Sequence, residues 1–531
     1  MSSLKVAHVS TNAAHGGAAI AAARLHRALL TKGVDSTLLF RYGPAETLHG
    51  VLVEAAQAEK AAWMLEEAVQ QSYVDANRSA LSNTLFTLDY VGTPIHSHPT
   101  LTDVGVVNLH WTSLFQSVET LSQLVRADIP IVWTMHDMWP FTGGCHYAAG
   151  CEGFTNICAR CPQLGGDPAR AAEARLQDKV GAFAAARRLV AVSPSAWLAE
   201  QARRSTVFRS ARVEVIPNSV DTAVFKPLSR SALRSKFGIP PDALCIAFGS
   251  VDHTERRKGF AELLTALSWL KGLISSSEGA GGGADVRLLS FGKTKEDGGE
   301  WGFPLHDVKE LSGDPAMAEA YACADIFVIP SLEDNLPNTV LEAMSCGVPV
   351  VGFSTGGIAE AVVPGETGLV ARTGDTQELA QALFRLLGDV DFRRRLGAAG
   401  RVRAERLYSP SVQAQAYIKL YHDLVEHFPM STRRARLEKP MVHGAENALE
   451  GVIGLERIVP AVLATALPSA YLKLATHASQ LAEHNQELRA WAERTEAFLK
   501  TEREITADLR LQLGTFGPVF DFLRKFSRRL S

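Results

Sequence analysis

The 531-residue chain is short of cysteine, of net charge and of long apolar runs. Seven cysteines is an odd number, which argues against a fully paired extracellular disulfide framework. With 54 Lys+Arg against 57 Asp+Glu the net charge is −3, so the basic footprint of a nucleic-acid-binding protein is missing and no nucleic-acid partner is expected. The most apolar long stretch, 458–475, is broken by Pro460, Pro468 and Lys473 and falls short of a membrane-spanning helix. The N-terminus runs straight into a strand-like segment without the basic start and apolar middle of a secretory signal. A composition 46% hydrophobic and 21% charged excludes a wholly disordered or collagen-like chain. A reducing, cytoplasmic α/β protein of about two to four domains is therefore expected.

What is present alternates. Short β-branched runs at 4–10, 34–40, 105–109, 129–134, 188–192 and 213–216 are separated by helical patterns such as 18–32, as expected for buried parallel strands. A second series of strands follows at 244–249, 286–291, 326–330 and 348–353, with helical segments at 259–273 and 337–345. Two such series predict two Rossmann-like domains, 1–222 and 223–408, facing each other across a cleft, with ligands at the carboxyl ends of the strands. A helix over 409–428 is expected to return to the first domain, and the glycine-rich insert 275–284 reads as a surface loop. The remaining 429–531 read as a helical extension. Its imperfect heptads over 474–509 (Leu474, Leu481, Leu488) offer a possible oligomer contact. Its basic amphipathic tail, 516–531, fits either peripheral contact with an anionic membrane at the inner face or docking on the protein's own surface.

Three constellations carry chemistry. In the first, a strand ends at Pro330, the polar loop Ser331-Leu332-Glu333-Asp334-Asn335-Leu336 follows, and a helix starts near Pro337. The leading amides of that helix, at Asn338 and Thr339, form an anion site with the positive end of the helix dipole behind them. Glu342 lies a turn further on, where its carboxylate can accept from a ribose, while Glu333 and Asp334 can reach sugar hydroxyls. In the second, Gly16-Gly17 follows the first strand, and two glycines let backbone amides approach an anion closely, although such a pair alone is an ordinary turn. In the third, a strand ends in His136-Asp137, and His110-Trp111 follows the strand before it. A strand-end histidine by itself is more often structural, and a tryptophan there can stack on a sugar or belong to the core.

These segments, with Cys346-Gly347-Val348-Pro349, Ser354-Thr355-Gly356-Gly357, Gly365-Glu366-Thr367-Gly368, Val215-Ile216-Pro217-Asn218 and Arg257-Lys258-Gly259, resemble the retaining glycosyltransferases of the GT-B fold, family 4, from residue 4 to about 425. The stretch 131–162 looks closest to the colanic-acid-type branch. The resemblance implies that Lys258 and Arg257 neutralise a donor diphosphate, that Gly16 and Gly17 close over it, that Glu342 holds the ribose, and that His136 lies beside the donor sugar. The family's first acid is Asp334 here, with Glu333 one place earlier, so either is a candidate for the sugar. The expected catalytic set is His136, Asp334 and Lys258, with His110, Trp111 and Asp137 on the acceptor side.

The expected reaction moves a hexosyl group, with retention, from a UDP- or GDP-linked sugar to a glycan or lipid-linked saccharide. A nucleotide-sugar epimerase or hydrolase and an inactive sugar-nucleotide-binding scaffold are the alternatives. No catalytic metal is expected from the family. Cys145, Cys151, Cys158 and Cys161 have spacing that fits a structural zinc, with free thiols and disulfides as the other readings, in that order. Cys245, Cys323 and Cys346 read as core.

Overall fold

The computed structural model of the chain describes residues 4–44, 49–54, 57–127, 129–165, 167, 169–277, 285–293 and 301–427. The expected helical extension, its oligomer and membrane contacts, and most of the glycine-rich insert lie outside those residues.

The first lobe is a seven-stranded parallel sheet of β1 (Lys5–Asn12), β2 (Asp35–Tyr42), β3 (Gly50–Leu52), β4 (Val106–Leu109), β5 (Ile131–Thr134), β6 (Leu189–Ser193) and β7 (Arg212–Val215), in the order β3-β2-β1-β4-β5-β6-β7. The second is a six-stranded parallel sheet of β8 (Leu244–Asp252), β9 (Val286–Lys293), β10 (Leu305–Asp307), β11 (Ile326–Ile329), β12 (Val350–Phe353) and β13 (Gly368–Ala371), in the order β10-β9-β8-β11-β12-β13. Both faces of each sheet are covered. Val106, Val132 and Val190 pack with Leu25, Leu29, Tyr417 and Leu424, while Val107, Ile131 and Ala191 face a separate core with Leu121 and Phe183. Burial on both sides explains why these strands read as continuous apolar runs.

The helix Pro410–His427 lies on the first lobe, where the Asn108 amide donates to the Tyr421 hydroxyl at 2.7 Å and Thr134 and Tyr417 share a 2.9 Å bond. It thus crosses back from the second lobe to the first. No helix among the described residues is long and apolar enough to cross a membrane.

Strand order reverses between β1 and β4 in the first sheet and between β8 and β11 in the second. At such a reversal neighbouring loops leave in opposite directions and open a crevice at the strand ends. The loop after β1 carries Gly16-Gly17, that after β8 carries Arg257-Lys258, and that after β11 carries Asp334. Topology alone therefore aims most of the expected site residues at one place.

Candidate active site

The turn Arg256–Lys258 is pinned by Gly259, whose φ of +69° suits glycine and whose missing Cβ would strike the Pro330 carbonyl oxygen. The basic turn and the end of β11 are thereby locked together, and the Leu332 amide donates to the Arg257 carbonyl at 2.7 Å. Gly356 does the same for the acidic loop: its φ is +49°, and a side chain there would meet the Asp334 carbonyl oxygen.

Asp334 is buried and bound by both cations. Lys258 Nζ lies 2.7 Å from Oδ2 and an Arg257 guanidinium nitrogen 3.3 Å from Oδ1. Burial by itself would raise this carboxyl, but Lys258 and Arg257 outweigh it and hold it down at about 2. Lys258 spends one of its three N–H donors on Asp334 and remains partly exposed. Arg257 is more committed, since Glu255 takes its Nε at 2.8 Å and its guanidinium stacks 3.9 Å over the Tyr147 ring. Glu333 makes no side-chain ion pair with these cations among the described residues and accepts from the Ala149 amide of the first lobe at 2.9 Å. Of the two candidate acids, only Asp334 binds the basic turn through its side chain.

The helix Asn338–Ser345 starts directly after Pro337, and the amides of Asn338 and Thr339 have no hydrogen-bond partner among the described residues. The Asn338 side chain donates to the Gly17 carbonyl at 2.9 Å, which brings the glycine loop of the first lobe onto this helix start. Asn335 ties the lobes again, donating to the carbonyls of Met135 and His136 at 3.3 and 3.2 Å. The interlobe contact is polar at each of these points.

Glu342 is not open to a ligand in this arrangement. It is 5% exposed, with Oε1 accepting from Arg24 of the first lobe at 2.8 Å and Oε2 from the Tyr321 hydroxyl at 3.0 Å. Arg24 also pairs with Asp314 at 3.0 Å, yet its Nε and Nη1 are buried without partners among the described residues. Arg24 was not among the residues expected at the site, and its place in the helix directly after the glycine loop was the available signal.

The expected acceptor-side residues need correction. His110 is 2% exposed and lies behind His136, with His110 Nδ1 3.1 Å from His136 Nε2. Asp137 is also buried: it binds His146 at 2.6 Å, the Trp111 indole N–H at 2.9 Å and the Trp139 amide at 2.9 Å. These contacts shape the loop after β5 and leave Asp137 no face for a substrate. Trp111 is half-buried with its polar edge spent on Asp137. His136 alone of this group keeps a ring nitrogen, Nδ1, that is neither partnered nor sealed among the described residues. Burial lowers its pKa to about 4, against a smaller upward pull from Asp137, so the ring is neutral near pH 7. Below it, Lys179 fastens the same loop from a fully buried position, donating to the carbonyls of Trp139 and Thr142.

Cys145, Cys151, Cys158 and Cys161 line one small cavity with Phe86 and Phe154. All are free thiols, and burial pushes Cys158 up to about 12 and Cys161 up to about 11. Among the described residues no group of three or more His, Cys, Asp or Glu is placed to hold a metal ion. Cys145, Cys158 and Cys161 pack in an apolar cluster with Phe86, Leu164 and Ala172. The chain's single Asp-x-Asp triplet, Asp389-Val390-Asp391, sits at an exposed helix start, where Asp389 caps the Phe392 amide. Cys245, Cys323 and Cys346 are buried in the second lobe's core, as expected.

Two facing parallel-sheet lobes, with cations and free amides gathered where both strand orders reverse, define a GT-B architecture. Solved structures agree on the fold. Sucrose-phosphate synthase from Thermosynechococcus elongatus matches at a TM-score of 0.56 with 19% identity, covering 80% of this chain and 100% of that one. HepE of Anabaena in complex with UDP-glucose matches at 0.52 with 14% identity, covering 79% and 100%.

Two family models match in tandem, Glycosyltransferase Family 4 over residues 15–224 and Glycosyl transferases group 1 over 243–389. The chain belongs to glycosyltransferase family 4. Among curated relatives, a D-inositol 3-phosphate glycosyltransferase of Stackebrandtia nassauensis is 30% identical over 43% of this chain and 52% of its own length. The putative colanic acid biosynthesis glycosyl transferase WcaC of Escherichia coli is 24% identical over 79% of this chain and 100% of its own length. The match thus spans about half of the inositol-phosphate relative and the whole of the colanic-acid one.

Proposed function

We propose that the chain transfers a hexosyl group from a UDP- or GDP-linked sugar to a hydroxyl of a glycan or lipid-linked saccharide, with retention at the anomeric carbon, in polysaccharide or glycoconjugate biosynthesis. The observation that carries this reading is the convergence of Lys258, Arg257, the Gly16-Gly17 loop and the free amides of Asn338 and Thr339 between the two lobes.

The hard step is departure of the nucleoside diphosphate while the sugar gains oxocarbenium character. Negative charge then builds on the leaving phosphate oxygen, and fixed donors aimed there lower the barrier because they strengthen as the charge grows. Lys258 has two N–H donors left for that oxygen, and the helix dipole behind Asn338 adds to them. Asp334 keeps Lys258 in place, and in this reading it is the acid that takes the sugar hydroxyls. The neutral His136 ring addresses the donor sugar through its remaining nitrogen and acts as a hydrogen-bonding group, with the leaving phosphate taking the acceptor's proton on the same face. For Glu342 to accept from a ribose, Arg24 must release it or share it.

Incubation with UDP- and GDP-sugars, first by thermal shift and then by NMR of the anomeric proton with an acceptor panel, tests the reading. A raised melting temperature with one nucleotide class and a product that keeps the donor's anomeric configuration support it. Release of free sugar or epimer without acceptor assigns a hydrolase or epimerase, and binding without turnover assigns a scaffold.

A further inference from the structure

Three imidazoles form a continuous hydrogen-bonded line from inside the first lobe to the cleft. His8 Nδ1 lies 2.9 Å from His110 Nε2, and His110 Nδ1 lies 3.1 Å from His136 Nε2. The ring centroids lie 5.2 and 5.4 Å apart, with planes 29° and 28° apart. His8 and His110 are 0% and 2% exposed, so neither touches a substrate. His8 sits between the apolar Ala7 and Val9 in the buried part of β1, and nothing in the transfer reaction as described requires it.

A neutral imidazole has one N–H and one bare nitrogen, so a line of three can point in only two directions. Burial lowers the pKa of all three rings, with neighbouring imidazoles adding to the fall at His8 and His110, and the line is therefore neutral near pH 7. In one direction His136 donates inward and the line ends in an N–H at His8 Nε2. That atom is buried and has no hydrogen-bond partner among the described residues. In the other direction His8 donates to His110, His110 donates to His136, and the buried end is a bare nitrogen. Orphaned buried N–H groups are the rarer outcome in folded proteins, so the second direction is favoured. Around the line, His26 meets His8 edge-on at 5.8 Å and is itself bound to the Ser36 hydroxyl, and Asp137 adjoins His136 but is spent on His146.

We propose that His8 and His110 are positioning residues that fix His136 as its Nδ1–H tautomer, so that the imidazole presents a hydrogen-bond donor, not a base, to the cleft. This deepens the transferase reading and rests on it only for the consequence in catalysis. A fixed N–H at that point donates to a donor-sugar oxygen and cannot abstract the acceptor's proton.

The test is two-bond nitrogen–proton NMR on full-length protein labelled with ¹⁵N-histidine, with His136 assigned by its loss in His136→Gln. The expected wild-type spectrum shows a protonated Nδ1 and a bare Nε2 on His136. His110→Asn, whose amide can stand where Nδ1–H stood, is expected to keep that tautomer, and His110→Leu to lose it. In transfer assays His110→Leu is expected to lower kcat about tenfold to a hundredfold, with donor KM little changed and His110→Asn recovering most of the loss. A protonated Nε2 on wild-type His136, or an unchanged tautomer in His110→Leu, overturns the proposal. The wild-type spectrum decides even where a variant fails to fold. If wild-type protein transfers no sugar but shows the expected spectrum, the transferase reading fails and the imidazole line stands.

Discussion

The two lobes bring polar groups to one cleft in opposite ways. The second lobe carries its charge on short turns at the strand ends, where Lys258 stays partly exposed and the amides of Asn338 and Thr339 are unspent. The first lobe buries its polar groups and spends them on each other: His8 on His110, Asp137 on His146 and Trp111, Lys179 on two loop carbonyls. One lobe is built to meet an anion and the other to hold a loop in shape. Charge that must act on a ligand needs free valences, whereas charge that fixes a backbone needs none.

Arg24 is a charged first-lobe group that breaks this division, because it crosses the cleft to the buried Glu342. Arg24→Leu strands that carboxylate and is expected to cost about 3–5 kcal/mol of stability by chemical denaturation. Adding Glu342→Gln should restore part of it, and a single-variant loss under about 1 kcal/mol would mean the pair contributes little. Lys258→Ala attacks the exposed side of the comparison. It is expected to reduce turnover about 10²–10³-fold with circular dichroism unchanged, since one fixed donor to developing charge is removed.

Asp334 gives a pH signature to the second lobe. Its folded pKa lies below the ordinary value, so its pairing stabilises fully above about pH 4 and is lost as pH falls toward 2. The share lost is about 2 kcal/mol, read as the difference in acid-unfolding midpoints between wild type and Asp334→Asn. The smallest effect belongs to the first lobe's loop: Trp111→Phe deletes one hydrogen bond to Asp137 and should cost about 1 kcal/mol with kcat nearly unchanged. A large rise in acceptor KM or fall in kcat in that variant would return Trp111 to the pocket wall.

Most central strands were legible because burial on both faces leaves a plain apolar run, as in Ile326–Ile329 and Val350–Phe353. The strands that were missed, Gly50–Leu52, Leu305–Asp307 and Gly368–Ala371, lie at sheet edges, where half-buried residues carry no such run. The second lobe's site was readable for a similar reason, since its residues are contiguous with the turns that hold them. The first lobe's was not. His110 and Asp137 follow strands just as His136 does, and only contacts with His8 and His146, distant in sequence, decide which ring reaches the cleft.

A crystal structure with bound UDP or GDP tests the central claim most directly. The expected result places the diphosphate between the lobes, with phosphate oxygens in hydrogen-bonding reach of Lys258 Nζ and of the Asn338 and Thr339 amides. A nucleotide bound elsewhere, with Lys258 still held by Asp334 alone, would contradict it.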